Sequence, residues 1–354
     1  MKTIDRYLVM AMLSATGLIM LVLLGLGAFV NFAGQVDNVG EGSYTLFNAL
    51  TFVALTLPQQ AYEMLPIATL LGALLGLGAL ASNSELIVLR ASGVSIWRLA
   101  RAVAIGGFAL TLITAALGEF IAPPSEQYAK RFRAQQLHRQ LSFTGGQSGW
   151  VKDGDVIVNI GEALSVDGGG VRIYRFDGEG RIASIGVAAS AEVSSSQNWL
   201  LADFRESTFS SAGVATRNEQ LATQRSYLNP ELLRLSVVDA DQLSGRRLSR
   251  YVAYLKRNQL NSERYEIALW SRVASVVSVF LMSLLALPFV FGSLRASGSG
   301  TRLVVGVLFG VAYYLTSKTL ASSGAVYGIN PVLTAFLPAL VLASVTVLMM
   351  SRVR

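Results

Sequence analysis

The sequence lacks cysteine altogether and has a single histidine, His138, in 354 residues. Without thiols the chain can form neither disulfide frameworks nor thiolate metal sites, and it has no cysteine nucleophile. One histidine leaves no histidine-based metal cluster and argues against a hydrolase of the Ser-His-Asp type. We therefore expect neither a catalytic site nor a metal site on this chain.

Charged residues are also scarce. They make up 14% of the sequence, whereas an ordinary soluble protein contains about 25%, and hydrophobic residues make up 52%. This composition excludes disordered, collagen-like and coiled-coil proteins and argues against a purely cytosolic globular protein. Nucleotide-binding motifs are missing as well. The glycine run at residues 298–301 lacks the lysine of a phosphate-binding loop, and no dinucleotide fingerprint follows a predicted strand.

The apolar residues are concentrated in six blocks. A bilayer core needs about 20 consecutive apolar residues, and blocks of that kind lie at residues 9–30, 46–80, 99–121, 273–291, 303–320 and 332–350. Pro58 and Pro66 interrupt the second block, so we expect its steady span nearer residues 66–80. The first block is too long for a signal peptide and lacks a small-residue cleavage site. The sequence therefore predicts six membrane spans, the first of them retained.

Basic residues in the short connections predict the orientation of these spans. Residues 31–44 and 321–331 contain no lysine or arginine. The alternate connections and the two termini contain nine: Lys2, Arg6, Arg90, Arg98, Arg101, Arg295, Arg302, Arg352 and Arg354. By the positive-inside rule both termini are predicted to be cytoplasmic. The net charge of +7 thus orients the chain in the bilayer and does not indicate a nucleic-acid surface.

A soluble stretch, residues 122–272, separates the third span from the fourth and is predicted to be extracytoplasmic. It holds 19 of the 29 basic and 16 of the 22 acidic residues, and long loops are exempt from the positive-inside rule. Turn signals at Asp153-Gly154 and Asp177-Gly178 separate strand-like runs, which lie at residues 156–160, 171–176, 182–193, 200–209 and 214–227. Their spacing predicts an antiparallel meander, sandwich or jelly roll, flanked by polar helices at 125–140 and 248–265.

The expected organisation therefore has three parts. Residues 1–121 contain spans one to three with the connection 82–98, residues 122–272 form the β domain with its flanking helices, and residues 273–354 contain spans four to six. The fold class is an α-helical bundle of six transmembrane helices with an inserted antiparallel β-jelly-roll domain.

The most informative connection is residues 82–98, between the second and third spans. Ser82 or Ser84 can cap a short helix whose first turn contains Glu85. Leu86, Val88 and Leu89 give the helix an apolar side, and Gly93 is a typical C-terminal stop. Two interpretations remain open: a solvated connector on the membrane surface, or a coupling helix that docks into a soluble motor subunit.

Within the spans, small and ionisable residues predict helix packing or lipid contact. Two Gly-xxx-Gly pairs, Gly72 with Gly76 and Gly306 with Gly310, permit close helix approach. Lys318 either extends to the headgroups or meets an anionic lipid. Glu63 and Glu119 lie near the outer interface, where hydration lowers the cost of a charge. The basic segments 130–139 and 246–257 form solvated faces or attract lipid phosphates.

Several motifs resemble those of one membrane family. They are Asp-Arg-Tyr at 5–7, Gly-Glu-Gly-Ser-Tyr at 40–44, the Leu/Gly/Ala run at 70–81, Ser-Glu-Leu-Ile-Val-Leu-Arg-Ala-Ser-Gly at 84–93, and further elements at 118–123, 291–295 and 326–331. Together they resemble the LptF/LptG permeases of the lipopolysaccharide exporter of Gram-negative inner membranes over essentially the whole chain. The motif at 40–44 and the Leu-Gly-x-Gly run favour the LptG side of this family over LptF.

The resemblance implies a subunit of a larger machine. LptG pairs with LptF in the inner membrane, a dimer of the ATPase LptB binds beneath them, and LptC adds one span and a jelly roll. Lipopolysaccharide enters a cavity between the permeases and passes to a periplasmic bridge that includes LptA. Because LptB hydrolyses ATP with Mg²⁺, this chain is expected to need no cofactor and to have no enzymatic activity.

The resemblance also assigns roles to residues. The coupling helix would use Ser84, Glu85, Leu86, Arg90 and Gly93. The substrate gates involve the first and fifth spans, where Phe32, Gln35, Tyr314 and Lys318 are the candidates. One departure stands out, because residues 35–38 after the first span contain no lysine or arginine for the phosphates of the substrate. Lys318 and the basic segments take that role, or LptF supplies the charge.

Two functions of other classes are alternatives to an exporter subunit. The first is a membrane-anchored scaffold or sensor whose extracytoplasmic domain binds a partner. The second is an ion-coupled carrier, which is disfavoured because the spans lack a central array of carboxylates and an inverted repeat of broken helices.

Overall fold

The computed structural model describes residues 3–137, 149–153, 155–160, 170–193, 198–210, 213–225, 240, 243–291 and 298–352. The predicted features at His138, Gly154 and Arg295 lie outside these residues. The chain divides into two compact units. The helical unit comprises Met1–Leu137, Ser244–Ser249 and Glu263–Arg354, and the β unit comprises His138–Leu243 and Arg250–Ser262. The helical unit thus takes both ends of the stretch 122–272 that was expected to form the β domain.

Nine α-helices and one π-helix occur in the described residues. They are α1 (Thr3–Val36), α2 (Leu46–Ser82), α3 (Glu85–Ala91), α4 (Ile96–Ala116), the π-helix (Leu117–Ile121), α5 (Ala122–Leu137), α6 (Gly245–Arg257), α7 (Glu263–Phe291), α8 (Ser299–Tyr327) and α9 (Pro331–Ser351). Within the described part of the chain, six helices are long and apolar enough to cross a membrane, and α4, the π-helix and α5 count as one of these. This confirms six spans and the predicted class of a helical membrane protein with an inserted β domain.

Helix α2 runs without a break through Pro58 and Pro66, so the prolines do not interrupt the helix, and the position of the steady span near residues 66–80 stays a prediction. Proline removes one backbone hydrogen bond, but neighbouring helices can compensate for that loss in a membrane bundle. Buried residues occur along the whole of α2, from Ala49 to Ala81. The entire helix is therefore part of the packed core.

The core of the helical unit is built around α2, which lies between α1 and α8. A Cβ on Gly72 would collide with the backbone of Thr16 in α1, and one on Gly76 would lie 2.6 Å from the Ala11 carbonyl oxygen. The opposite face of α2 meets the other glycine pair. A Cβ on Gly306 would lie 2.6 Å from Leu71 Cδ2, and one on Gly310 would lie 2.9 Å from Cγ2 of Ile67. Both Gly-xxx-Gly pairs thus lie where two helices approach closely.

The motif at residues 40–44 holds the end of α5. Gly42 has φ +57°, and a side chain there would collide with the Leu137 carbonyl. The backbone N–H of Ser43 donates to the Gln136 carbonyl over 2.9 Å, and the Ser43 hydroxyl donates to Gln136 Oε1 over 2.9 Å. This loop therefore satisfies carbonyls that α5 leaves unpaired at its C-terminus.

The β unit contains one antiparallel seven-stranded sheet in the described residues. Its strands are β1 (Gly149–Asp153), β2 (Val156–Ile160), β3 (Val171–Phe176), β4 (Ile182–Ala188), β5 (Ser190–Val193), β6 (Asn198–Ser210) and β7 (Gly213–Arg225). The first four strands form a meander, β4 and β5 both pair with β6, and β7 pairs with β6. The runs predicted at 156–160 and 171–176 coincide with β2 and β3.

The run predicted at 182–193 is two strands. Strand β4 pairs with residues 205–208 of β6, and β5 pairs with residues 199–202. Between these two stretches Asp203 has φ +49°, and the Ala189 N–H donates to the Ala202 carbonyl over 2.9 Å. An irregularity of this kind bends a strand and breaks its pairing, which alternation of residue types does not reveal.

Two local predictions have opposite outcomes. The helix predicted at 248–265 ends at Arg257, because Gln259 takes a left-handed conformation with φ +55° before α7 begins. The turn at Asp177 forms as predicted. A hydrogen bond from the backbone N–H of Arg181 and others from its guanidinium and the Glu179 N–H lower the pKa of Asp177.

Candidate functional site

Residues 82–98, which are predicted to couple to a motor subunit and are called the coupling segment below, begin with a sharp turn between α2 and α3. Ser84 occupies the N-cap position of α3 but has φ +63° and makes no side-chain cap bond. The Ser82 hydroxyl donates instead to the Gly78 carbonyl over 2.9 Å. The predicted capping by Ser82 or Ser84 is therefore wrong, because the left-handed residue is used to redirect the chain. Glu85 is the first residue of α3, as expected.

The other end of α3 is closed by backbone hydrogen bonds. Gly93 has φ +88°, its N–H donates to the Arg90 carbonyl over 3.0 Å, and the Val94 N–H donates to the Leu89 carbonyl over 3.1 Å. Next, the Ser95 hydroxyl caps α4 by accepting from the Arg98 N–H over 3.3 Å. Gly93 thus ends α3 as predicted, and α4 follows at once.

The short helix α3 is anchored by one face and open on the other. Leu86 is only 2% exposed within the bundle core, and Leu89 and Val94 pack against that core. Val88 is 64% exposed and Trp97 is 77% exposed, so Val88 lies away from the apolar side on which it was predicted. The outward face therefore presents apolar side chains that the helical unit does not cover.

Polar side chains of α1 reach both sides of the coupling segment. The Tyr7 hydroxyl donates to Glu85 Oε2 over 2.8 Å. Asp5 is buried and lies 3.7 Å from the Arg101 guanidinium of α4. In α3 itself, the Arg90 guanidinium carbon lies 6.0 Å from the ring centroid of Phe291, the last residue of α7. Of the predicted coupling residues, Glu85 thus contacts α1, Leu86 packs in the bundle core, and Arg90 lies beside the end of α7.

Arg302 is the functional candidate that sequence reasoning missed. Although it is charged, it is only 2% exposed. Its Nη1 donates to the Gly78 carbonyl and to the Ser82 hydroxyl over 2.9 Å. In the sequence Arg302 contributed only to the orientation of the spans. The available signal was its place near the N-terminus of a helix, where the helix dipole disfavours a cation.

The predicted gate residues fall into two sets of contacts. Phe32 packs with Phe52, Val53 and Ala129. Gln35 is buried, and its Oε1 accepts from the Tyr44 hydroxyl over 3.4 Å.

The second set lies on α8. Lys318 Nζ lies 6.0 Å from the ring centroid of Tyr314 and 4.0 Å from Glu63 Oε1 of α2. Its side chain is 52% exposed.

Helices α1 and α8 are the least buried of the six spans. Of their most apolar stretches, 17% is buried in α1 and 11% in α8, against 72% in α2. Exposed apolar side chains on these helices include Leu18, Leu21, Leu26, Phe29 and Val30 in α1, and Val304, Leu308 and Leu315 in α8. Such continuous surfaces face lipid or another subunit.

Glu119 has a local structural role at the π-helix. Its carboxylate accepts from the backbone N–H groups of Gly245 over 2.7 Å and Arg246 over 3.1 Å, so it caps α6. The Gly118 carbonyl in the same π-helix accepts from Arg272 over 2.9 Å. Among the described residues no group of three or more His, Asp or Glu side chains could hold a metal ion.

Comparison with known proteins agrees with this architecture. The family model for the lipopolysaccharide export system permease LptF/LptG matches residues 6–352. The lipopolysaccharide export system permease protein LptG of Escherichia coli K12 is 35% identical over 339 residues, which cover 95% of this chain and 94% of the relative. LptG of Haemophilus influenzae is 32% identical over 357 residues, covering 100% and 99%. The chain therefore belongs to the lipopolysaccharide export permease family LptF/LptG and is a multi-pass membrane protein.

Proposed function

We propose that this chain is the LptG-type half of an ATP-driven exporter that extracts lipopolysaccharide from the inner membrane. An LptF subunit forms the other half of the permease, and an LptB dimer docks on the coupling segment. LptC and a bridge containing LptA receive the lipid and carry it toward the outer membrane. The observation that carries this proposal is the coupling segment, which is anchored to the bundle core on one side and open to a partner on the other.

The outward face of the coupling segment supports docking of an ATPase. Helix α3 is fixed at both ends. A force applied to α3 by a partner is therefore transmitted to the bundle and is not absorbed by a flexible loop. Glu85 offers a carboxylate for an ionic contact, Arg90 is exposed, and Val88 and Trp97 supply apolar area. An apolar centre with charged neighbours is the usual composition of a protein interface.

The exposed faces of α1 and α8 support pairing with a second permease. A cavity between two subunits needs apolar walls for acyl chains and a cation for phosphate, and Lys318 lies on α8 beside Tyr314. These features suit an amphipathic anionic lipid. Phe32 and Gln35 are packed against their own subunit, so they would contribute by positioning α1.

The orientation follows from the same assignment. With the coupling segment in the cytoplasm, where ATP is available, both termini are cytoplasmic and the β unit is periplasmic. ATP and Mg²⁺ are then bound by the partner ATPase, and this chain supplies the path for the lipid.

The variant Glu85→Ala tests the proposal in the complete complex reconstituted in vesicles. We expect it to bind LptB more weakly or to release less lipopolysaccharide per ATP hydrolysed, because the ionic contact at the start of α3 is lost. Glu41→Ala, an exposed carboxylate in the loop before α2, is the matched control and should behave as wild type. Normal lipid extraction by Glu85→Ala would remove Glu85 from the mechanism.

Purification of the chain with its natural partners separates the proposal from its alternative. A co-purifying ATPase supports the exporter. A partner bound to the β unit without any ATPase would favour a membrane-anchored scaffold or sensor instead.

A further inference from the structure

Helices α1 and α8 are both joined to the coupling segment by polar side chains. We propose that these contacts are tethers: Tyr7 makes α1 follow the coupling segment, Asp5 reinforces this contact through Arg101 of the adjoining helix α4, and Arg302 makes α8 follow the segment. All three are positioning residues, because each of them acts through another helix. The inference rests on the proposed function, since it requires a partner ATPase that moves the coupling segment.

The tether to α8 is a buried cation shared between two helices. The backbone of Arg302 lies near the N-terminus of α8, where the helix dipole disfavours positive charge, and its side chain is only 2% exposed. Burial of the charge and its place at a helix N-terminus are both unfavourable. Helix α2 offsets these two costs, because the guanidinium donates to the Gly78 carbonyl and the Ser82 hydroxyl in the last turns of that helix. The negative end of the α2 dipole lies there. The guanidinium of Arg302 is thus stabilised by the end of α2, although the backbone of Arg302 is part of α8.

This joint lies directly beside the coupling segment. Ser82 is the last residue of α2 and α3 begins at Glu85, so a displacement of α3 reaches Ser82 through two residues. Gly78 leaves room for the cation, because a Cβ there would lie 2.7 Å from Nη1 of Arg302. The position of this guanidinium therefore depends on the geometry of the α2 end.

The tether to α1 uses the first two turns of that helix. The Tyr7 hydroxyl holds Glu85 at the start of α3, with 2.8 Å between the oxygens, and Asp5 meets Arg101 in α4 at 3.7 Å. Because Arg101 is 65% exposed, this ion pair contributes little by itself. Tyr7 is thus the specific contact, and it also orients the carboxylate offered to the ATPase.

Together the two tethers transmit a single displacement of the coupling segment to both α1 and α8. Helix α2 lies between α1 and α8, and both of these helices are attached at the coupling-segment end of the bundle. A displacement of the coupling segment then moves both proposed walls of the cavity at once.

The first experiment measures lipopolysaccharide released per ATP hydrolysed by the complete complex in vesicles. We expect Arg302→Met and Gly78→Ala to lower this ratio about fivefold or more, the low end of site-to-site coupling, while Arg302→Lys recovers part of it. Tyr7→Phe should lower the ratio in the wild-type background and have no further effect on Glu85→Ala, because its hydroxyl acts through Glu85. Wild-type ratios in Arg302→Met and Tyr7→Phe would overturn the inference.

Two control variants separate transmission from ordinary stability. Arg272 donates to the Gly118 carbonyl over 2.9 Å, and the Tyr313 hydroxyl donates to Ser278, so each makes an equivalent bond elsewhere in the bundle. Arg272→Met and Tyr313→Phe should lower the melting temperature as the tether variants do and leave the ratio unchanged. If the lipopolysaccharide released per ATP fell as much in the controls as in the tether variants, the specific role of the tethers would be overturned.

A second measurement does not depend on lipid release. The chain has no native cysteine, so spin labels can be attached at Phe108→Cys in α4 and Leu308→Cys in α8, both exposed, in a complex whose partner cysteines are replaced. Nucleotide should change the distance between these labels in the wild-type background and not with Arg302→Met. An equal change in both would overturn the tether. A wild-type complex that releases no lipid with ATP would contradict the proposed function instead.

Discussion

At the scale of single residues, charged side chains in the helical unit pair with helix ends. Arg302 donates to the backbone carbonyl of Gly78 in the last turns of α2, and Glu119 accepts from two N–H groups at the start of α6. Helix ends leave unpaired backbone groups and carry partial charges that such side chains satisfy. A charge placed in this way fixes where one helix ends against another.

The variant Glu119→Ala tests this principle at α6. It removes the acceptor for two backbone N–H groups, so we expect a loss of about 0.5 to 2 kcal/mol in the free energy of unfolding, the usual effect of deleting an N-cap, seen as a lower melting temperature in detergent. Glu119→Gln keeps one acceptor oxygen, so its melting temperature should lie between those of the wild type and Glu119→Ala. Glu126→Ala is the control, because the Glu126–Lys130 pair at 3.4 Å is a helix-surface pair of about 0.3 to 0.5 kcal/mol. Equal melting temperatures for Glu119→Ala and Glu126→Ala would contradict the capping role.

Sequence reasoning reached Glu85 but neither of the side chains that fix its surroundings. The place of Glu85 at the start of a short helix follows from local signals, namely the serines before it and Gly93 after it. Tyr7 and Arg302 are separated from their partners by 78 residues and by 220 or more. No local pattern encodes such contacts, and the left-handed turn at Ser84 contradicts the preference of serine for capping.

At the scale of elements, the two Gly-xxx-Gly pairs are not equivalent. A side chain on Gly72 would meet the backbone of Thr16, which can move only if α1 moves. A side chain on Gly306 would meet Leu71 Cδ2 at 2.6 Å and Leu74 Cδ1 at 2.7 Å, the ends of side chains that can rotate.

We therefore expect Gly72→Ala to lower the free energy of unfolding by about 1 to 3 kcal/mol, as overpacking does. Gly306→Ala should lower it much less. Thermal unfolding of the two variants in the same detergent measures the difference. Equal losses would show that the α1–α2 contact is looser than its backbone distances indicate.

The elements differ in how far the sequence determines them. Strands β2 and β3 were predicted with their observed bounds because turn signals and a run of apolar residues mark both ends. The continuity of α2 through Pro58 and Pro66 was not predicted, since it depends on compensation by neighbouring helices. The division between β4 and β5 depends on the backbone of Asp203 in another strand.

At the scale of the whole molecule, the low share of charge is an average over two unlike parts. The spans account for the apolar excess, and residues 122–272 hold 35 of the 51 charged residues, 19 basic and 16 acidic. The remaining basic residues lie mostly in the connections predicted to be cytoplasmic.

Labelling of single introduced cysteines tests the predicted orientation, because the native chain contains none. Asp37 follows α1 and Ser92 lies in the coupling segment, and both are exposed. A membrane-impermeant thiol reagent should label Asp37→Cys once the outer membrane is permeable, and Ser92→Cys only after the inner membrane is opened. The reverse order would refute the cytoplasmic placement of the coupling segment.

The continuous helix formed by α4, the π-helix and α5 has a mechanical consequence. Its 42 residues span about 63 Å at 1.5 Å per residue, and α4 alone covers about 32 Å, close to the thickness of a bilayer core of about 30 Å. On the predicted topology, a span that begins with α4 would leave the hydrocarbon near the π-helix. A tilt of about 5° at Ile96 displaces Leu137 by about 5 Å, so a small rotation beside the coupling segment becomes a translation of one helical turn at the residue from which the chain enters the β unit.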